Sequence, residues 1–279
     1  MIKIVTDSVA DLPKELCEQY DITVVPLQII FGDDIYLDGI DLTHQEFFAK
    51  IEQSEKLPTT SQPTPQEFAK IFEKEVDAGN DVIVITLAKV LSGTIRAAQL
   101  AKEIVGRGSI DVIDSQSACM GQGLIVLRAA RMAQEGRSKE EILEAIHRDI
   151  EDSRAFVMVT TLDNLIKGGR LLPAAGAVAN ILNIKPMIEI DAKGHLINTA
   201  KVRGVHKGLQ HIIKRMKEER EDYSDATIFI AYSKTTTNAD MLKGMIEENF
   251  QVKEIFLCPC GSVIGTHIGP EAVAVFMVK

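Results

Sequence analysis

The sequence predicts an α/β protein of two α/β domains, the first with a largely parallel sheet flanked by helices and the second with a mixed sheet and helices. Its 279 residues are about twice the ~150 residues of a typical domain. Short β-branched segments alternate with helical patterns in the first half, whereas an antiparallel hairpin pattern is found only in the second half. We therefore place one domain at residues 1–155 and the other at residues 156–279.

The first half has the pattern of repeated strand–helix–strand units. Four apolar segments predict strands: residues 2–6, 23–30, 82–87 and 110–113. Several are apolar on both faces, as in strands covered by helices on two sides. Thr64, Pro65 and Glu67 form a predicted capping box at one helix start, and Ser138 and Glu141 form another. Right-handed crossovers between such units produce a parallel sheet.

The second half has a different pattern. Five strands are predicted at residues 155–160, 187–190, 227–232, 254–257 and 272–278. Residues 186–190 and 195–202, joined by a turn at 191–194, predict an antiparallel hairpin. An amphipathic helix is predicted at residues 205–221. Antiparallel and parallel neighbours together give a mixed sheet.

Composition excludes several classes of function. Forty acidic residues against 31 basic ones give a net charge of −9, which disfavours a nucleic-acid partner. The longest uncharged stretch, residues 255–270, is shorter than the ~18 apolar residues of a membrane-spanning helix. The N-terminus lacks a signal-peptide pattern, so we expect a cytoplasmic protein. The close pair Cys258 and Cys260 has no further ligands nearby in the sequence, and we expect no metal site.

Hydroxyl and acidic residues follow three predicted strands, at residues 6–8, 92–94 and 114–115. The carboxyl ends of strands gather the ligand in open α/β sheets, and a helix start offers free N–H donors to an anion. For Ser8 and Ser115, helix capping is the favoured interpretation. For Ser92, capping and anion binding are equally supported, since Gly93 also permits close approach of a ligand to the backbone.

A proline-rich segment at residues 58–65 carries three consecutive hydroxyl residues, Thr59, Thr60 and Ser61. Its prolines stiffen the backbone, so the segment is either a rigid turn into a helix or a preorganised set of donors. Generic enzyme and nucleotide-binding motifs are absent from the sequence. His267 is placed on a loop before the last strand, where it could titrate near neutrality.

Taken together, these segments resemble the DegV family. The similarity covers nearly the whole chain and is carried by six segments: residues 6–8, 59–63, 91–94, 114–115, 167–170 and 267–270. The resemblance implies a fatty-acid-binding subunit of two α/β domains, with a long-chain fatty acid in a tunnel between or beside them and no other cofactor. It further implies that the protein is not itself an enzyme but presents the fatty acid to a separate ATP-dependent fatty acid kinase. The acyl phosphate product then enters phospholipid synthesis, and lipid exchange requires transient membrane contact.

The resemblance also assigns roles to individual residues. Thr60, Ser61, Ser92, Gly93 and His267 are expected to bind the fatty-acid carboxylate. The kinase-docking or phosphate-transfer edge is expected to comprise Arg170, Arg203 and His267. Six apolar residues are candidates for the acyl-chain lining: Met120, Gly121, Leu124, Leu172, Ile181 and Ile264. The sequence departs from the family pattern at Lys89 and Glu271.

One alternative function belongs to the enzyme class. In an acyl hydrolase or transferase, Ser92 or Ser8 would be the nucleophile and His267 its base. The helix start at Ser92 would then supply oxyanion donors, and Asp7 or Asp114 would orient the histidine. A structural adaptor would not need polar donors at strand ends.

Overall fold

A computed structural model describes residues 1–171 and 183–279 of the protein. Its strands are β1 (Ile2–Asp7), β2 (Thr23–Val25), β3 (Gln28–Phe31), β4 (Asp34–Leu37), β5 (Thr59–Ser61), β6 (Asp81–Thr86), β7 (Ile110–Asp114), β8 (Ser153–Met158), β9 (Ile184–Ile190), β10 (Leu196–Arg203), β11 (Tyr223–Tyr232), β12 (Val252–Pro259) and β13 (Val273–Val278). Its helices are α1 (Lys14–Gln19), α2 (His44–Gln53), α3 (Pro65–Asp77), α4 (Thr94–Val105), α5 (Met120–Gln134), α6 (Lys139–Asp152), α7 (Asp163–Lys167), α8 (Val205–Glu219), α9 (Thr237–Asn249) and α10 (Ser262–Ile268). A 3₁₀ turn spans Ser8–Ala10.

The first sheet has the strand order β2-β1-β6-β7, and its neighbouring strands pair in parallel. Phe68 and Phe72 of α3 pack on one face together with alanines of α4. Ile125 of α5 and Ile142 of α6 pack on the other face. The predicted α/β fold with a parallel sheet flanked by helices is therefore confirmed.

Both predicted capping boxes are present. The Thr64 side chain accepts a hydrogen bond from the Glu67 N–H at the start of α3, where Pro65 is the first residue. The Ser138 side chain accepts from the Glu141 N–H at the start of α6. In each box the glutamate also accepts from the capping residue's N–H, so otherwise unpaired N–H groups are satisfied at both helix starts.

The single strand predicted at residues 23–30 is wrong. The chain breaks there into β2, in the parallel sheet, and β3, in a small antiparallel sheet of order β4-β3-β5. Pro26 has no N–H to donate to a strand ladder, and the Leu27 N–H donates to the Ser8 hydroxyl at 3.0 Å. Strands β3 and β4 form an antiparallel hairpin. The prediction that the first half contains no such hairpin is therefore wrong.

The second sheet is mixed, with the order β10-β9-β8-β13-β11-β12. The predicted hairpin forms from β9 and β10, and β11 pairs in parallel with β12. The apolar stripe of α8 packs on one face of this sheet, while α5 packs on the other. Helix α5 therefore contacts both sheets. The domain boundary at residue 155 lies inside β8 and stays a prediction.

Candidate functional site

A cavity of about 430 Å³ lies at the carboxyl edge of the parallel sheet, where this edge meets the second sheet. Leu87 and Leu91 follow β6 and line one side. Ala231 of β11 and Ala274 of β13 line the other side. Apart from a few polar groups gathered around β5 and His267, the lining is mainly apolar. The strand ends of the sheet thus open onto a space suited to an apolar ligand.

Hydroxyl groups from two distant segments line the polar end of the cavity. The prolines of residues 58–65 bracket a short strand, β5, which pairs with β3 and holds Thr60 opposite Ile29. The Thr60 hydroxyl is 3.1 Å from Nε2 of His267. Ser92 lies just before α4, and its hydroxyl is 2.9 Å from the Thr94 hydroxyl and accepts from the Thr94 N–H at 3.3 Å. The segment predicted as a stiff turn is thus partly a strand.

Gly93 allows a close approach at this end of the cavity. A β-carbon at position 93 would lie 2.1 Å from the side-chain oxygen of Gln62. Both residues line the cavity together with Ser61. A larger residue at position 93 would displace the Gln62 amide from its place across the start of α4.

His267 lies in helix α10, and its predicted loop placement is wrong. A hydrogen bond from the Gly265 N–H to the Gly261 carbonyl closes the first turn of this helix. Nδ1 of His267 is buried and has no hydrogen-bond partner. It is 2.5 Å from where a β-carbon on Gly168 would be. Burial, and then the positive charge of Arg170, lower the pKa of His267 to about 4, so the ring is neutral at pH 7.

Arg170 is held at the cavity wall by backbone carbonyls. Its Nε donates to the Leu91 carbonyl at 3.1 Å, and one terminal nitrogen donates to the Gly168 carbonyl at 2.5 Å. Arg203, at the far end of β10 from the cavity-lining Leu196, does not line the cavity. Of the two arginines expected at the kinase-docking or phosphate-transfer edge, Arg170 lines the cavity together with His267, whereas Arg203 does not line it.

Strand β13 and the residue before it form a long part of the apolar wall. Ala272, Val273, Ala274 and Phe276 line the cavity, and residues 272–276 span about 13 Å at ~3.3 Å per residue. Ala272 packs with Leu165 and Ile268, next to His267, whereas Phe276 packs with the start of α5. The cavity therefore extends along β13 from the polar end towards α5. The small side chains at 272 and 274 are the sequence signal for this wall.

The candidate lining residues fall into three groups. Ile264 lines the cavity. Met120, Gly121 and Leu124 do not, because α5 directs them into the core behind Phe276, and a β-carbon on Gly121 would lie 3.1 Å from the Phe276 ring. The remaining two candidates, Leu172 and Ile181, lie outside the described residues.

The two departures from the family pattern lie outside the polar end of the cavity. The backbone N–H of Lys89 donates to the Asp114 carboxylate at 3.1 Å, and the side-chain ammonium of Lys89 is 3.6 Å from the same carboxylate. Glu271 accepts from the Thr160 hydroxyl at 3.3 Å. Neither residue lines the cavity. Both charges are directed to other partners.

The geometry disfavours the hydrolase alternative. The hydroxyl of Ser92 bonds to Thr94, whereas His267 bonds to Thr60. Ser8 lies outside the cavity lining. Asp7 accepts from the Val9 and Leu87 N–H groups, so it braces the ends of β1 and β6 rather than orienting a histidine. Among the described side chains, no nucleophile, base and carboxylate are joined in a triad.

Comparison with known proteins places this architecture in a family. A family model described as "Uncharacterised protein, DegV family" matches residues 1–279. The chain belongs to the DegV family. A DegV domain-containing protein of Caldanaerobacter subterraneus subsp. tengcongensis is 36% identical over 275 residues, which are 99% of this chain and 98% of the relative. The similarity thus covers both lengths almost completely.

Solved DegV structures share the fold. A Thermus thermophilus DegV family protein described by its fatty acid binding superposes with a TM-score of 0.92 at 30% identity, covering 100% of this chain and 99% of that one. A stearic acid-binding protein of Eubacterium ventriosum gives a TM-score of 0.91 at 28% identity, covering 100% and 98%. Among the described residues of our chain, no helix is long and apolar enough to cross a bilayer.

Proposed function

We propose that this protein binds a long-chain fatty acid in the cavity, with the carboxylate at Thr60 and Ser92 and the acyl chain along β13. The single observation that carries the proposal is the polarity of the cavity, which has hydroxyl donors at one end and an apolar wall along the rest. A fatty acid has the same division between a charged end and an apolar chain. Both solved relatives described above bind fatty acids.

A buried carboxylate needs hydrogen-bond donors, and the polar end offers several. Thr60 and Ser92 supply hydroxyls, and the Gln62 amide lies across Gly93. An ionised group without such partners costs several kcal/mol to bury. The chain supplies most of the affinity, since a dozen buried methylenes at ~0.8 kcal/mol each contribute roughly 10 kcal/mol before ordering costs.

The proposed partner is a separate ATP-dependent fatty acid kinase in the cytoplasm, to which the protein presents the carboxylate. This part rests on the family resemblance. Arg170 and His267 lie beside the proposed carboxylate site, so a phosphoryl group transferred there would meet the positive charge of Arg170. Arg203 would belong to an outer docking edge. Acyl phosphate is the product, and uptake of the fatty acid involves transient membrane contact.

Mass spectrometry of an organic extract from purified protein tests the binding proposal. We expect one or more fatty acids at about one equivalent per chain. A matched preparation of Thr60→Val with Ser92→Ala should carry much less. A different class of metabolite, or equal lipid in both preparations, would overturn the assignment. Acyl phosphate formation with a fatty acid kinase and ATP tests the partner separately, because lipid binding without turnover rejects only the kinase role.

A further inference from the structure

The proposed fatty-acid cavity is wide over the middle of the second sheet. Strands β8, β13 and β11 place Val157, Ala274 and Ala231 side by side in one row across the sheet, and all three residues line the cavity. This row lies two positions along the chain from Ala272, which packs with Ile268 next to His267. At this distance from the polar end, three neighbouring strands therefore contribute to the wall.

The next row on the same face of the sheet ends the cavity. Residues two apart on a strand share a face, so this row contains Ala155, Phe276, Phe229 and Phe256. Of these four residues, only Phe276 lines the cavity. Phe229 and Phe256 stack with their ring centroids 4.8 Å apart and fill the sheet face beside it. Within one row, the lining of this sheet thus falls from three residues to a single aromatic ring.

The Phe276 ring has no free space behind it. A β-carbon on Gly121 would lie 3.1 Å from a ring carbon of Phe276, so the ring packs directly against the backbone of α5. Met120 and Leu124 belong to the same buried cluster, and Phe276 is only 3% exposed. Interiors packed in this way resist added volume. An acyl chain that reached Phe276 would therefore meet a fixed wall.

A fixed wall makes a cavity selective for chain length. Each methylene that enters the cavity should strengthen binding about fourfold. A methylene beyond the wall must stay in water, bend the chain or displace the ring, so it adds nothing or weakens binding. The position of the ring thus determines the chain length at which affinity stops rising.

We propose that Phe276 closes the far end of the cavity and sets the longest saturated acyl chain that this protein binds at full affinity. The inference rests on the proposed function, in which the carboxylate lies at Thr60 and Ser92. Phe276 is then a specificity-determining residue, whereas Ala274 and Ala231 leave space for the middle of the chain.

Competition against a fluorescent C16 acid on delipidated protein measures the affinity of saturated acids from C8 to C22. In the unaltered protein, affinity should rise up to one length and then stop rising. In Phe276→Ala the rise should continue for about two to four further carbons, because the removed ring leaves a cavity. Phe276→Leu removes less volume and should extend the rise by about one or two carbons. Phe256→Ala makes the alanine change in the same row but outside the cavity lining, and it should keep the unaltered length profile.

Two results would overturn the role of Phe276 while leaving fatty-acid binding intact. One is an identical length profile for the unaltered protein and both Phe276 variants. The other is a Phe256→Ala profile that shifts as far as that of Phe276→Ala, because any loss of packing in this row would then lengthen the cavity. Failure of the unaltered protein to bind any acid would overturn the proposed function itself. Circular dichroism shows which variants fold, and Phe276→Leu provides the comparison if the alanine variant does not.

Discussion

Replacing Thr60 by valine removes one donor of the proposed carboxylate site and keeps a β-branched side chain in β5. Hydrogen bonds to charged groups contribute ~1.5–3 kcal/mol each, and ~1.4 kcal/mol is a factor of ten in affinity. Loss of the Thr60 hydroxyl should therefore weaken fatty-acid binding ~10- to 150-fold. Ser92→Ala should have a similar effect, because the Ser92 hydroxyl also lines the cavity.

Titration of delipidated protein with palmitate and with hexadecanol measures this effect. The alcohol fills the same apolar space without a charged end, so both substitutions should weaken it much less than the acid. Thr199→Val makes the same chemical change on β10 at an exposed position outside the cavity, and it should leave palmitate binding unchanged. An unaltered palmitate dissociation constant in Thr60→Val with Ser92→Ala would refute the proposed carboxylate site.

Three further predictions concern the cavity wall and His267. Ala274→Leu should fill the middle of the cavity and weaken binding of C16 acids more than C8 acids, at ~0.8 kcal/mol for each excluded methylene; equal losses in a chain-length titration series would contradict the direction of the acyl chain. Gly168→Ala should destabilise the protein by ~1–3 kcal/mol, because the new methyl would lie 2.5 Å from Nδ1 of His267. The matched change Gly244→Ala, with no atom within 4 Å, should not destabilise it, and urea unfolding of both variants makes the comparison. The pKa of His267 is lowered from 6.5 to about 4, so the unfolded chain binds this proton first as pH falls and stability should be lost between about pH 6.5 and 4. His267→Gln should lack that part of the loss in unfolding measured across this range, and identical pH profiles would show that His267 is not buried as a neutral ring.

The elements that could be predicted from sequence are those with strong local signals. The capping boxes at Thr64 and Ser138 are four-residue patterns that predict where a helix begins. The apolar segments of β6 and β7 predict strands that are buried on both faces. The break at Pro26 was harder to predict, because the apolar pattern continues across it. Only the pairing partners show that the two sides belong to different sheets.

The candidate site depends on contacts that local patterns do not contain. Thr60 and His267 are 207 positions apart and are brought together by the packing of α10 against β5. Family resemblance named both residues, whereas the turn residues around His267 predicted that it lies on a loop. The cavity wall along β13 was not predicted, since alanines have many ordinary roles in a fold.

The distribution of polar groups around the cavity determines which way a fatty acid can lie. At the far end, Phe276 packs with Met120 and Leu124 of α5, and a carboxylate placed there would lose its hydration without gaining donors. At the near end, Thr60 and Ser92 offer hydroxyls rather than a buried ammonium. Arg170 also lines the cavity, but its guanidinium donates to the Leu91 and Gly168 carbonyls, so the hydroxyls remain the proposed donors to the carboxylate. This arrangement is consistent with the proposed role of presenting the acid to a second protein.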